Sequence, residues 1–192
     1  MKALAQKKDI VLERELAFAN AIGASVLEKP KVSFWMVLIP ILLLYFVYRM
    51  QTYKRGRIAF DEEFMTTRRR AMDAAFHAVE TNARPDVDAV VRESRLPQAL
   101  QEPCAAWVSA LADYYTGLLV ADGDSFESLV RATYRSRTDY LLVLNRLTAA
   151  ERDFYKALGP HLSAAEGATD IVATIEAQSQ QLRRESAERI FR

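Results

Sequence analysis

Apolar residues fall along this chain in two patterns. From Val32 to Tyr48 they run almost without interruption, VSFWMVLIPILLLYFVY, between Lys31 and Arg49. Elsewhere they recur at intervals of three and four residues, the spacing that turns one face of a helix toward a core. No stretch shows the β-branched alternation of a half-buried strand. The pattern predicts an all-α protein: a single transmembrane helix followed by a soluble bundle of about five to six helices. Its divisions are a first amphipathic helix within residues 1–30, an anchor over 31–53, and a bundle domain over 54–192.

In the first division Asp9 to Leu27 is rich in helix formers, with Val11, Phe18 and Ile22 on one stripe. Pro30 ends it, because proline disfavours helical geometry in the residue ahead. This helix is expected to lie on a membrane or pack against a neighbour; the sharper alternative is a partner-binding helix.

Past the anchor, Ile58 to Ala83 has an apolar face of Phe60, Phe64, Met72, Phe76 and Val79 and is stopped by Pro85. A short helix over Val87–Ser94 follows, then a strongly apolar one over Cys104–Val120 with Trp107, Leu111, Tyr114, Tyr115 and Leu118 along a stripe. Asp122-Gly123-Asp124-Ser125 breaks that helix and caps the next, which begins at Phe126. Asp139–Leu147 supplies a further apolar segment. Thr148-Ala149-Ala150-Glu151 matches a capping box opening a helix that Gly159-Pro160 closes. Ser163 to Glu166 is a second box ahead of a last helix over Thr169–Ile190. The thin apolar stripe of that helix suggests a peripheral or self-associating element.

The continuous run carries the strongest functional signal. Its 17 residues make roughly 25 Å of helix at about 1.5 Å per residue, slightly short of a hydrocarbon core of about 30 Å. Lys31, Trp35, Tyr45, Tyr48, Arg49, Tyr53, Lys54 and Arg55 edge it as interfacial anchors. A cleaved signal peptide lacks support in the long preceding segment and the poor cleavage site. A buried core helix is seldom apolar on every face. A re-entrant hairpin turning at Pro40 matches the basic residues on both flanks, but a turn in hydrocarbon leaves backbone groups unpaired. A kinked single span is the expectation. The basic residues after the span place the large domain in the cytoplasm, at an inner membrane if the source is bacterial, although Lys2, Lys7 and Lys8 oppose this.

Charge adds a division of labour. Residues 1–56 carry nine Lys/Arg against four Asp/Glu, and residues 57–192 carry 17 against 21. The basic part suits anionic lipid headgroups. The acidic remainder argues against nucleic acid as a partner. A single cysteine, Cys104, excludes an intramolecular disulfide.

Candidate chemistry is sparse. Asp73, His77 and Glu80 share one helix face at metal-compatible spacing, yet no Glu stands three residues before either histidine, as a di-metal bundle site requires. The loop at Asp122 has Thr133 where a calcium loop needs its twelfth-position glutamate. Cys104 has no activating neighbour in sequence. Arg68, Arg69 and Arg70 form one basic cluster, and Arg131, Arg135 and Arg137 with Tyr134 and Tyr140 form another. Both are candidate contacts for a partner or an anion. No cofactor and no metal is expected. The leading expectation is a non-enzymatic, single-pass membrane adaptor, scaffold or assembly subunit, with a protein partner or self-association. The alternative is a ligand-sensing bundle with a pocket near Trp107 and Arg135. A tethered enzyme would turn first to Asp73, His77 and Glu80.

Overall fold

The computed structural model describes residues 2–26, 64–162 and 168–192. Among them are seven helices and no strand, so the chain is all-α. They are α1 (Lys2–Val26), α2 (64–81), α3 (Val87–Ser94), α4 (Gln98–Val120), α5 (Phe126–Thr133), α6 (Arg137–Leu162) and α7 (Ala168–Ile190). The apolar run and its flanking Lys31, Trp35, Tyr45, Tyr48, Arg49, Tyr53, Lys54 and Arg55 lie outside the described residues. Among those described, no helix is long and apolar enough to cross a membrane.

The centre of the bundle is α4. Cys104, Trp107, Val108, Leu111, Tyr115 and Leu118 follow the helical period and are all buried, each large one contributing roughly 1.5–3 kcal/mol through loss of apolar contact with water. Helices α1, α3, α5 and α6 pack around it, and α7 closes the bundle against α6 and α1. Helix α2 adds Ala71, Met72 and Ala75 to the same core.

The first helix belongs to the interior, Val11 joining this core and Ala19 and Ile22 a second cluster with Phe64, Met65 and Ile175. It begins at Lys2, not Asp9, and Val11, Ala19 and Ile22 are completely buried. Lys7 Nζ donates to the carbonyls of Leu119 (3.3 Å) and Ala121 (2.5 Å), placing a cation at the negative end of the α4 dipole. Lys8 pairs with Asp73 of α2 at 2.6 Å and lies 4.9 Å from the centre of the Phe76 ring.

Local signals explain most boundaries. Helix α3 has the predicted ends: the Asp86 carboxylate accepts from Ala89 N at 2.9 Å, and Arg95 closes the helix in the left-handed conformation with φ 52°. At α5 the caps are reciprocal, Ser125 Oγ accepting from Ser128 N and Ser128 Oγ accepting from Ser125 N. Gly123 is required by close approach. A Cβ there would collide with Ser128 Oγ and come within 2.9 Å of Leu129 N.

Three predicted boundaries are corrected. Helix α4 starts at Gln98, with Pro103 inside it; as the sixth helical residue Pro103 forgoes the bond to Ala99 O, a cost met by the buried stripe of the same helix. Gly159-Pro160 does not stop α6, which reaches Leu162. There is also no break at Thr148, because α6 runs through the apparent capping box. Thr148 Oγ1 donates back to Leu144 O at 2.8 Å, and Glu151 faces inward. The second box, Ser163 to Glu166, lies outside the described residues.

Candidate functional site

Four charged residues occupy core positions of four helices. In α1 the stripe Val11, Glu15, Phe18, Ile22 contains Glu15. In α2 the stripe Phe64, Arg68, Met72, Ala75 contains Arg68. The stripe Leu144, Leu147, Glu151, Phe154 of α6 contains Glu151, and Ile175, Ser179, Arg183, Ala187 of α7 contains Arg183. Spacing of three and four residues turns each of them toward the interior.

They meet there as a ladder. Arg68 Nε contacts Glu15 Oε2 at 3.1 Å, and Arg68 Nη2 contacts Glu151 Oε1 at 2.6 Å. The other Glu151 oxygen receives Arg183 Nη2 at 2.8 Å, while Arg183 Nη1 donates to Thr148 Oγ1 at 2.7 Å. Arg68 Nη1 reaches the Phe64 carbonyl at 3.3 Å. Rings complete the enclosure, since the Arg68 guanidinium lies 3.8 Å from the Phe64 ring centre and 5.6 Å from that of Trp107. Two cations and two anions leave the ladder neutral.

Burial decides its electrostatics. Arg68 is fully buried and Glu151 is 3% exposed. Desolvation opposes charge on both. For Glu151 it pushes the carboxyl up, but Arg183 and Arg68 outweigh it and hold the group below its ordinary range. For Arg68 desolvation pushes down, and Glu151 and Glu15 outweigh it, so the guanidinium is raised and stays charged. The ladder links α1, α2, α6 and α7 through one carboxylate and its partners, and its attraction is largely offset by desolvation, while loss of one member would strand a buried charge.

Beside the ladder lies a cavity of about 170 Å³. Tyr114, Phe126, Tyr140, Leu144 and Leu147 form its floor, and Phe18 and Leu182 its sides. Tyr114 and Tyr140 join hydroxyls at 3.2 Å, and burial raises both phenols above the ordinary tyrosine range. At the rim, Arg14 donates to Ser186 Oγ at 3.1 Å and stands 5.4 Å from the centre of the Phe126 ring.

The sequence-predicted residues are distributed differently from expectation. Arg68 is internal, so it is corrected from a partner or anion contact to a core ion pair; Arg69 is exposed and Arg70 half-buried. Arg131 Nε donates to Ile190 O at 2.7 Å, capping α7, and Arg137 pairs with Glu188 of α7 at 2.9 Å. Arg135 is exposed, and Tyr140 is buried in the Tyr114 cluster. Neither Trp107 nor Arg135 lines this cavity, and Trp107 stacks on Phe154 with ring centres 5.2 Å apart. Asp73, His77 and Glu80 are all exposed, with Asp73 engaged by Lys8. Among the described residues no three His, Cys, Asp or Glu side chains converge to hold a metal ion. Cys104 is buried, and desolvation raises its thiol, the reverse of nucleophilic activation. Helix α7 hides its role from apolar periodicity because Ser179, Arg183 and Ser186 make up much of its inner face. Compared with protein-family models, curated proteins and solved structures, the chain finds no match.

Proposed function

We propose that this protein is a non-enzymatic adaptor or scaffold, held on a lipid bilayer by residues 32–48 with all seven described helices on one side. The observation that carries the reading is the Glu15–Arg68 ion pair. Glu15 precedes the apolar run, Arg68 follows it, and both are locked into one core. A single span would place α1 across the membrane from α2–α7 and break every contact α1 makes. An insertion that enters and leaves on the same side keeps them.

Sequence length supports that geometry. Eight residues lie on each side of Pro40 within the run. As helix, each arm would reach roughly 12 Å, about the depth of one leaflet of a core near 30 Å. Two full crossings would need about 40 residues. Pro40 itself carries no backbone N–H to leave unpaired at the turn. The basic residues agree as well. Lys2, Lys7 and Lys8 oppose the residues after Arg49 only if the run is crossed once; with both flanks on one side that conflict disappears.

The adaptor reading rests on chemistry already committed. Arg68, Arg183, Glu15 and Glu151 neutralise one another, and the Cys104 thiol is buried. The test is flotation of the purified chain with vesicles containing anionic lipid, followed by cross-linking in native membranes. Wild type floats, and a Leu38→Asp, Leu42→Asp double variant stays at the bottom with its helicity intact. A stoichiometric cross-linked partner supports the adaptor role. Flotation of the double variant, or a clean uncross-linked monomer, overturns the corresponding half of the proposal.

A further inference from the structure

We propose that the cavity between α1, α6 and α7 binds a small organic monocarboxylate, its ring or short acyl chain on the aromatic floor and its carboxylate on Arg14. This site is independent of the membrane reading.

Size sets the apolar part. The cavity is about 170 Å³, and a dry cavity of roughly 150 Å³ lined by Leu, Ile and Phe takes up benzene. One ring or a chain of similar volume fits. The floor of Tyr114, Phe126, Tyr140, Leu144 and Leu147 is buried, and so does not depend on surface rearrangement. Several helices contribute to it.

Charge sets the head group. Arg14 lines the cavity, and among the described residues no carboxylate pairs with it. Its one hydrogen bond goes to the neutral Ser186 hydroxyl. The two carboxylates that line the cavity are engaged elsewhere, Glu15 by Arg68 and Glu185 by Gln181 Nε2 at 2.8 Å. Arg189 adds a second cation at the exposed rim. A few convergent polar groups over an apolar floor are what a small-molecule site requires, and guanidinium pairs well with a carboxylate. A dianion would keep an uncompensated charge beside Glu15 and Glu185, which a monocarboxylate avoids.

Titration calorimetry and thermal shift on the full chain test the site with phenylacetate, hexanoate and phenylacetamide. At least one carboxylate is expected to bind saturably at millimolar concentration or below and to raise Tm through linkage. The neutral amide is expected to bind at least about tenfold more weakly, as loss of one charge-assisted contact implies. Whether phenylacetate or hexanoate binds more tightly tells a ring ligand from an acyl one. Arg14→Gln should weaken binding about tenfold or more. Ala21→Phe, which fills the cavity without altering Arg14, should abolish binding and decides the matter should the Arg14 variant fold poorly. No saturable binding of either carboxylate overturns the proposal, as does equal affinity for the amide. Full binding by the Ala21→Phe protein also overturns it.

Discussion

Arg68 and Glu151, 83 residues apart in sequence, meet at 2.6 Å with no more than 3% of either side chain exposed. Because Glu151 also receives Arg183, one carboxylate joins α2, α6 and α7, and Arg68 extends the connection to Glu15 on α1. Whatever attaches to the ends of α1 and α2 is therefore attached to one body.

Removing the central carboxylate should be costly. Glu151→Gln leaves two buried guanidinium groups short of countercharge, and the loss is expected to reach about 3–5 kcal/mol. Pairing Glu151→Leu with Arg68→Met removes both charges, and the double variant should be more stable than Glu151→Gln. Urea unfolding of the variants measures this, and a double-mutant cycle should show strong coupling between the two sites.

Acid should loosen the ladder. Glu151 is held below its ordinary range in the folded state, where the attraction of Arg183 and Arg68 outweighs desolvation. A depressed carboxyl stabilises the fold at pH above the unfolded value of about 4.3, and that stability is lost as pH falls through the folded value. Wild type should lose stability steeply below about pH 4, with a shallower slope for Glu151→Gln.

Base should act through the tyrosines. Burial raises Tyr114, Tyr115 and Tyr140. Their contribution is complete below the unfolded tyrosine value of about 10 and declines as pH rises above it. Absorbance titration should show a group of phenols that ionise only as the protein unfolds, whereas full ionisation of the folded protein near pH 10 would contradict the burial.

Gly123→Ala should destabilise by about 1–3 kcal/mol, the usual cost of forcing atoms into filled space. The new Cβ strikes the Ser128 hydroxyl that caps α5 and crowds Leu129 N. Gly117→Ala meets Thr133 Cγ2 at 3.2 Å and the Tyr134 hydroxyl at an ordinary 3.9 Å and should cost less. Thermal unfolding of the two variants ranks them.

Helix content, the α3 ends and the Ser125 cap were readable from spacing and cap chemistry. The ladder was also written in the sequence, as charged residues standing in register within apolar stripes. Apolar periodicity skips such positions, so Arg68 looked like one of three surface arginines, and Thr148 with Glu151 looked like a helix start. The placement of α1 was not readable at all. Its stripe of Val11, Phe18 and Ile22 suits a membrane surface, a partner or the chain's own core, and only the partners supplied by α2, α4, α5 and α7 distinguish them. The cavity draws its walls from five helices distant in sequence, so no single spacing announces it.

In the proposed geometry α1 and α2–α7 lie on one side of the membrane. That geometry is tested most directly by introducing one cysteine at a time into a Cys104→Ser background, at the exposed positions Ala5 in α1 and Ala173 in α7. Each variant is labelled with an impermeant maleimide in intact and in permeabilised cells. Both positions are expected to be protected in intact cells and to become reactive together on permeabilisation. Labelling of position 5 in intact cells with position 173 protected, or the reverse, would show a single crossing and contradict the proposed geometry.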